Sequence, residues 1–167
     1  MSTTLTLAAL KAQLGEFRDI IESGWSAQTI HPDYEFVRMS PVGQCGPSSA
    51  WIVLELAQRY GIEAEFCCGE VVSTGDAAKS LPDHCWVEVD DLEAPGHYII
   101  DITCDQIEYF RAQRFLLAGQ DELRSDDIDY VAQWRTPAAQ LPQVEVWPRY
   151  EILDRAIAAK LRSAQGG

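Results

Sequence analysis

Two runs of strand-forming residues, HCWVEV (84–89) and HYIIDIT (97–103), flank the turn-rich stretch DDLEAPG (90–96). β-Branched and aromatic residues on both sides of such a turn predict a β-hairpin. Alternation gives each run one apolar face, and the opposite faces carry His84 and Asp101. An aspartate between two isoleucines of a strand is costly to bury without a partner. The hairpin therefore predicts that Asp101 is paired.

The register of this hairpin predicts the partner. If His84 stands directly opposite Asp101, the turn is centred between Leu92 and Glu93, inside the turn-rich stretch. Directly opposed side chains have Cβ atoms about 4.5–5.5 Å apart. A carboxylate and an imidazole can form a hydrogen bond at that separation, so we expect a His84–Asp101 pair.

The other elements follow from apolar spacing, caps and breakers. They are a helix over 5–23, a helix over about 47–60 capped by Gly61, a strand over 64–72 with a bulge at Gly69, a short helix from Asp105, whose spacing from Glu108 is that of a capping box, and a helix over 149–163. Residues 121–130 show no clear period. Because no linker is evident, residues 1–167 are expected to form a single α+β domain with a mostly antiparallel sheet.

The segment Gly43-Gln44-Cys45-Gly46-Pro47 places a cysteine in a glycine-flanked turn that leads into the second helix. Unpaired N–H groups and the positive end of the dipole favour the thiolate there and can stabilise an oxyanion. A small inert cysteine beside a cap is the alternative for this segment alone. A thiolate nucleophile also needs an imidazole and a third group that orients it. His84 and Asp101 can supply both.

Charge and cysteine usage exclude several classes of partner. The net charge of -13 repels phosphate backbones and anionic lipid, so we expect neither nucleic acid nor a membrane as a partner. No apolar stretch approaches the roughly 18 residues that span a bilayer, and the start of the chain lacks the basic residues of a signal peptide. Five cysteines without a disulfide-like spacing predict reduced thiols and a cytoplasmic location.

Three motifs together resemble those of the transglutaminase-like superfamily, which has a papain-like Cys-His-Asp arrangement. Residues 43–45 resemble the Gly-Gln-Cys nucleophile motif of transglutaminases. Residues 84–88 look like the His-x-Trp strand of that superfamily, and residues 98–101 resemble the next strand, which carries its aspartate. The order and spacing are also similar to those of arylamine N-acetyltransferases. The resemblance covers about residues 40–110 and implies a nucleophile helix packed on a mostly antiparallel sheet.

The resemblance implies acyl transfer through a thioester, with no metal or other cofactor. Cys45 would attack an amide or ester carbonyl, His84 would activate the thiol and protonate the leaving group, and Asp101 would orient His84. Water would then resolve the thioester in a hydrolase (a peptidase or amidase), and an amine would do so in an acyltransferase (an amide synthase or transglutaminase). The expected substrate is of peptide, amide or acyl-carrier type. Gln44 and Trp86 are the candidate oxyanion or substrate-binding residues.

Two alternatives compete with this interpretation. Zinc could bind His84 and several of the remaining cysteines, Cys67, Cys68, Cys85 and Cys104. However, no C-x₂₋₄-C pair is present, and adjacent cysteines of a strand point to opposite faces, so core packing explains them better. The second alternative is a catalytically inactive transglutaminase-like fold that acts as a protein-interaction module. The aromatic candidates for a substrate groove are Trp25, Tyr34, Trp51 and Trp86.

Overall fold

The computed structural model describes residues 5–167, with helices on one face of a β-sheet. In chain order the elements are α1 (Leu7–Gly24), α2 (Cys45–Tyr60), β1 (Ala64–Val72), β2 (Leu81–Asp90), β3 (His97–Asp101), β4 (Leu116–Gly119), α3 (Gln120–Ser125), β5 (Asp129–Pro137) and α4 (Trp147–Gln165), with short 3₁₀ turns between some of them. Residues 1–4, which the predicted single domain includes, lie outside the described residues. None of the helices described for residues 5–167 has the length and apolar character to span a bilayer.

The sheet has five strands in the order β4-β3-β2-β1-β5, and every neighbouring pair is antiparallel. The predicted α+β class with an antiparallel sheet is therefore confirmed. The larger of the two hydrophobic cores lies between the sheet and the helices α1, α2 and α4, where Phe17, Trp51 and Leu153 pack with Val87 and Ile100. A smaller core covers the opposite face of the sheet.

That smaller core contains the alternate residues of β2 and β3, as the two-residue period predicts. Trp86 and Ile99 are buried there, together with Cys67 of β1 and Tyr130 of β5. The polar side chains on the same face, among them His84, are buried among these apolar residues. The ionisable side chains that are buried on this face of the sheet therefore lie in a low-dielectric environment.

The predicted register of the hairpin is wrong by two residues. Val87 pairs with Ile100, and continuing that register puts Trp86, not His84, across from Asp101. Because the side-chain period of a strand is two, a shift of two residues keeps every side chain on its predicted face. His84 and Asp101 are therefore diagonal neighbours on the same face.

The hairpin turn explains the shift, because its centre lies one residue later in the chain than predicted. The N–H group of Asp91 donates to the carbonyl of Gly96 at 2.8 Å, and the N–H group of Gly96 donates to the Asp91 carboxylate at 2.9 Å. Both residues have positive φ, 48° and 146°. A backbone of this kind suits glycine and short polar residues, and nothing in the residue pattern fixes which of several such positions closes the turn.

Asp105 does not begin the predicted capped helix. It lies in a 3₁₀ turn, Cys104–Gln106, without a side-chain cap hydrogen bond. Its carboxylate instead accepts from both terminal nitrogens of Arg18 in α1, each at 2.8 Å. Arg18 is buried and also donates to the carbonyl of Ile102 at 2.9 Å. This ion pair fixes α1 to the segment that directly follows β3.

Two further differences affect the site. Helix α2 begins at Cys45 and not at Pro47, so the thiol belongs to the first residue of the helix. The stretch 121–130 is also more regular than predicted, because it contains most of α3 and the start of β5. The bulge at Gly69 is confirmed as a register shift in β1, where a Cβ atom would lie 2.0 Å from the carbonyl of Val131.

Candidate active site

Cys45 lies at the N-terminus of α2, on the wall of a cleft of about 510 Å³. The residue before the helix cap, Gly43, has φ of 76°, and a Cβ atom there would lie 2.7 Å from Ile30. Only glycine fits both demands, so the chain enters the helix tightly. The hydroxyl of Ser49, one turn into α2, donates to the carbonyl of Cys85 at 3.2 Å and links the helix to β2.

His84 and Asp101 form a buried pair, as predicted. The Nε2 atom of His84 lies 2.7 Å from Oδ2 of Asp101, and both side chains are fully buried. Two further residues hold the carboxylate. The hydroxyl of Tyr130 donates to Oδ2 at 2.8 Å, and the N–H group of Thr103 donates to Oδ1 at 3.0 Å. These donors offset the cost of burying a negative charge.

The other ring nitrogen of His84, Nδ1, is buried and has no hydrogen-bond partner of good geometry among the described residues. The ring stacks on Trp86, with centroids 6.2 Å apart and planes inclined by 26°. Because Nε2 is engaged by Asp101, Nδ1 is the nitrogen left for the neighbouring thiol of Cys45. This division of roles between the two nitrogens is what a nucleophile–base–orienter arrangement requires.

The electrostatics favour a thiolate–imidazolium pair. Burial by itself lowers the pKa of His84, but the charge and hydrogen bond of Asp101, together with the thiol of Cys45, raise that pKa to about 10. A hydrogen bond from the side chain of Cys85 lowers the pKa of Cys45 more than burial raises it, and His84 lowers this pKa further. Both shifts favour the state in which the proton resides on the imidazole.

The two predicted substrate-binding residues lie beside the cleft and not on its wall. The side chain of Gln44 is buried, with its oxygen accepting from the Thr29 hydroxyl at 2.8 Å and its nitrogen donating to the Ser26 carbonyl at 3.4 Å. Trp86 is buried behind His84, and its indole N–H donates to Glu88 at 3.0 Å. These contacts engage the side-chain amide of Gln44, so they do not support its predicted role as an oxyanion donor.

Three functional candidates were missed by sequence reasoning. Tyr130 and Thr103 hold the Asp101 carboxylate. Gln106 lines the cleft, and its Nε2 atom is buried without a hydrogen-bond partner. Alternation along the hairpin could have marked Thr103. Tyr130 gave no signal, because β5 was not predicted, and the position of Gln106 depends on the 3₁₀ turn after β3.

The rest of the cleft is lined by aromatic and mixed polar side chains. Of the four predicted aromatic candidates, Tyr34 lines the cleft, and Trp134, which was not predicted, is 67% exposed on the same wall. Arg149 of α4 also lies there, with its guanidinium nitrogens 3.5 and 3.8 Å from the point where a Cβ atom of Gly46 would stand. The cleft can therefore accommodate a ligand with polar and apolar parts.

The remaining cysteines do not assemble a metal site. Within residues 5–167, no group of three or more His, Cys, Asp or Glu side chains is placed to hold a metal ion. Cys67 and Cys104 are buried, and burial raises the pKa of each thiol. Cys68 and Cys85 lie instead on the cleft with Cys45. Cys67 and Cys104 belong to the smaller core, whereas Cys68 and Cys85 are partly buried between the larger core and the cleft.

Comparisons with protein-family models, with curated proteins and with solved structures found no match. The resemblance to transglutaminase-like proteins therefore rests on the motifs at 43–45, 84–88 and 98–101.

Proposed function

We propose that this protein is a cysteine-dependent acyl-transfer enzyme with a papain/transglutaminase-like fold, in which Cys45 carries the acyl group as a thioester. One observation supports the proposal above all. Asp101 engages Nε2 of His84, and this leaves the buried and unpartnered Nδ1 beside the first residue of a helix, which is a cysteine. A structural histidine usually has both nitrogens satisfied or solvated, so the free nitrogen indicates a working base.

The resting state in this proposal is the Cys45 thiolate with the His84 imidazolium. The thiolate attacks an amide or ester carbonyl and forms a C–S bond, while the carbonyl electrons move to oxygen. N–H groups in the first turn of α2 and the side-chain amide of Gln106 can donate to that oxyanion. The imidazolium then gives its proton to the departing amine or alcohol, and the thioester remains on Cys45.

Asp101 has a positioning and electrostatic role. Its charge holds the His84 ring so that Nδ1 faces the thiol, and it stabilises the imidazolium until the proton is transferred. The hydrogen bonds from Tyr130 and Thr103 hold the carboxylate in place. In the second half of the reaction, water or an acceptor amine attacks the thioester while neutral His84 takes its proton. The C–S bond then breaks, and the Cys45 thiolate and the His84 imidazolium of the resting state are restored.

The cleft favours a peptide, amide or acyl-carrier-type substrate. Its volume, about 510 Å³, lies within the range of sites for small molecules and short peptide segments. Tyr34, Phe66 and Trp134 offer apolar surface, and Arg149 can pair with a carboxylate of the substrate. Hydrolysis and amine transfer use the same first half-reaction, and the acceptor distinguishes them.

The first test is brief treatment with a thiol electrophile at neutral pH, followed by intact-mass and peptide analysis. We expect fast and selective modification of Cys45 that is lost in His84→Ala. His97→Ala is the matched control, because His97 also lies in the hairpin and contacts carboxylates, 2.9 Å from Glu88, but does not line the cleft. Equal and slow labelling of all accessible thiols would contradict the proposal and favour a non-enzymatic interaction module.

The second test determines the acceptor. The protein is incubated with a library of peptides and acyl amides, with and without a small primary amine, and the products are identified by mass. A Cys45-linked thioester in acid-quenched samples supports acyl transfer. Products that carry the amine indicate a transferase, whereas free acids alone indicate a hydrolase. Cys45→Ser should give neither product.

A further inference from the structure

Three thiols meet on the cleft wall. Cys68 of β1 and Cys85 of β2 are directly opposed in the antiparallel register, and their Sγ atoms are 2.8 Å apart. This separation exceeds the length of a disulfide bond, about 2.05 Å, by only roughly 0.75 Å. Cys85 also lines the cleft with Cys45, and the hydroxyl of Ser49 links the helix of Cys45 to the carbonyl of Cys85 at 3.2 Å. Cys85 therefore stands between the nucleophile and a third sulfur.

The strand geometry accommodates a bond between Cys68 and Cys85. Directly opposed residues of antiparallel strands have Cα atoms about 4.5 or 5.5 Å apart, depending on the type of pair. Disulfides span Cα separations of about 4.4–6.8 Å. Both side chains are half-buried on the cleft and not sealed in a core, so an oxidant or a reductant can reach them. Core packing alone does not require two thiols in such contact.

The three thiols differ in their readiness to react. The thiolate, and not the thiol, attacks an oxidant, so the site with the lowest pKa reacts first. Cys45 is that site, since it is the first residue of α2 and its pKa lies well below the ordinary value, whereas hydrogen bonds to Cys45 and Cys68 and burial raise the pKa of Cys85. Oxidation is therefore expected to begin at the nucleophile.

We propose that Cys45, Cys85 and Cys68 form a thiol relay that returns an oxidised nucleophile to its reduced form and leaves a disulfide between Cys68 and Cys85. The proposal rests on the proposed function in one respect, the identification of Cys45 as the reactive thiolate. The oxidant is a hydroperoxide.

Each step of the relay balances. The Cys45 thiolate attacks the distal oxygen of the hydroperoxide, the O–O bond breaks, and the products are Cys45 sulfenic acid and, after protonation, an alcohol or water. The Cys85 thiol attacks the sulfenic sulfur, forms a Cys45–Cys85 disulfide and releases water. Cys68 then attacks the sulfur of Cys85, which forms the Cys68–Cys85 disulfide and frees Cys45 with one proton. In total, two thiols are oxidised and one hydroperoxide is reduced.

The relay is tested on the reduced full-length protein with one equivalent of hydrogen peroxide, followed by thiol blocking, digestion and peptide mass analysis. The wild type should lose two hydrogen atoms, yield a Cys68–Cys85 linked peptide, and keep Cys45 open to alkylation. Cys68→Ser should stop at a Cys45–Cys85 disulfide. In Cys85→Ser, Cys45 should instead remain as the sulfenic acid, which carries one added oxygen atom and is trapped by a dimedone-type reagent during thiol blocking. The product ratio is compared, since loss of Cys85 also changes the pKa of Cys45.

Two controls distinguish the relay from direct oxidation of the adjacent thiols Cys68 and Cys85. In Cys45→Ser the Cys68–Cys85 disulfide should form at least about tenfold more slowly, because an ordinary thiol is only a few per cent thiolate at neutral pH. Cys67→Ala, which alters the neighbouring cysteine on the opposite face of β1, should match the wild type. Thermal melting of each variant checks that it is folded.

Three outcomes would overturn the relay: disulfide formation in Cys45→Ser at the wild-type rate, a wild-type Cys45 that remains as the sulfenic acid as it does in Cys85→Ser, or a disulfide to Cys67 or Cys104. The electrophile test separates this failure from failure of the proposed function. If Cys45 is labelled fast and selectively but its oxidised form is not rescued, the enzyme proposal stands and the relay falls. If Cys45 is not selectively reactive at all, the proposed function falls first.

Discussion

Replacing Tyr130 with phenylalanine removes one hydroxyl group from the buried Asp101 carboxylate and leaves the aromatic ring in place. Tyr130 is 1% exposed, and its hydroxyl donates to Oδ2 of Asp101 at 2.8 Å. Burial and the charge of Asp101 raise the pKa of Tyr130 well above its ordinary value, so the hydroxyl is a donor at every pH at which the protein is used. The substitution therefore removes a single charge-assisted hydrogen bond.

The expected loss of stability depends on the contacts that the Asp101 carboxylate keeps. A hydrogen bond to a charged group contributes about 1.5–3 kcal/mol to stability. His84 and the N–H group of Thr103 still contact the carboxylate, so it is not left without partners. We therefore expect a loss in the lower half of that range, about 1.5–2 kcal/mol. Since 1 kcal/mol shifts Tm by roughly 2–4 °C in a domain of this size, the Tm should fall by about 3–8 °C.

The assay is urea unfolding at neutral pH, with the slope m compared between variants to confirm that the unfolded states are equivalent. Tyr150→Phe is the matched control. Tyr150 is also buried, but its hydroxyl has no hydrogen-bond partner among the described contacts, so its removal should change stability by less than about 0.5 kcal/mol. If Tyr130→Phe costs no more than Tyr150→Phe, the carboxylate does not depend on that hydroxyl and the reasoning about Asp101 is wrong.

Four further predictions concern the site and its surroundings. Because the pKa of Cys45 is lowered and that of His84 is raised to about 10, alkylation of Cys45 should be fast at neutral pH, and in His84→Ala its rate should rise at a higher pH than in the wild type, since one of the groups that lower the thiol pKa is gone. Asp101→Asn should reduce the rate of acyl transfer by about 10²–10⁴-fold in a protein that still folds, measured by single-turnover kinetics. Gln106→Ala should lower kcat by about 10²–10³-fold with little change in KM, as loss of an oxyanion donor does. His97 has its pKa raised because its carboxylate partners outweigh the opposing effect of burial, so its contribution to stability is complete below the unfolded pKa of about 6.5 and is lost as pH rises through the folded pKa. His97→Ala should therefore destabilise the protein more at about pH 6 than at about pH 9 in urea unfolding.

Each of these predictions has a result that contradicts it. An unchanged pH profile of alkylation in His84→Ala would show that another group activates Cys45. Full activity of Asp101→Asn would remove the orienting role, and a change confined to KM in Gln106→Ala would assign that residue to substrate binding. Equal destabilisation by His97→Ala at both pH values would show that packing, and not its charge, is what His97 contributes.

The sequence predicted the parts of this fold that depend on local periodicity. Helix α1, helix α2 and strand β1 have strong apolar spacing or clear caps, and the structure places them within two residues of the predicted ends. The pairing of His84 with Asp101 was predicted although the register was not. The face that a side chain occupies depends on whether its position in the strand is odd or even, so a two-residue error in register does not change it. The register depends on the turn, and several positions in 90–96 can close that turn.

The parts that sequence reasoning missed depend on tertiary contacts. Strand β5 lies at the edge of the sheet and most of its residues are at least partly exposed, so it has no clean apolar alternation to detect. Tyr130 on that strand reaches Asp101 only because β5 pairs with β1. Similarly, Asp105 showed the spacing of a cap, but the buried guanidinium of Arg18, 87 residues away in the sequence, takes its carboxylate.

The position of the site depends on an irregularity in the sheet. Residues that follow each other in a regular strand point to opposite faces, yet the consecutive residues His84 and Cys85 both line the cleft with Cys45 and both lower the pKa of its thiol. The backbone departs from regular strand geometry at this point. Asp83 has φ of 53°, and the register of β1 shifts beside Gly69, which pairs with His84. These local distortions bring the base from one face of the sheet and the neighbouring thiol from the other to the same helix N-terminus. An ideal hairpin could supply the His84–Asp101 pair, but it could not bring that pair to Cys45.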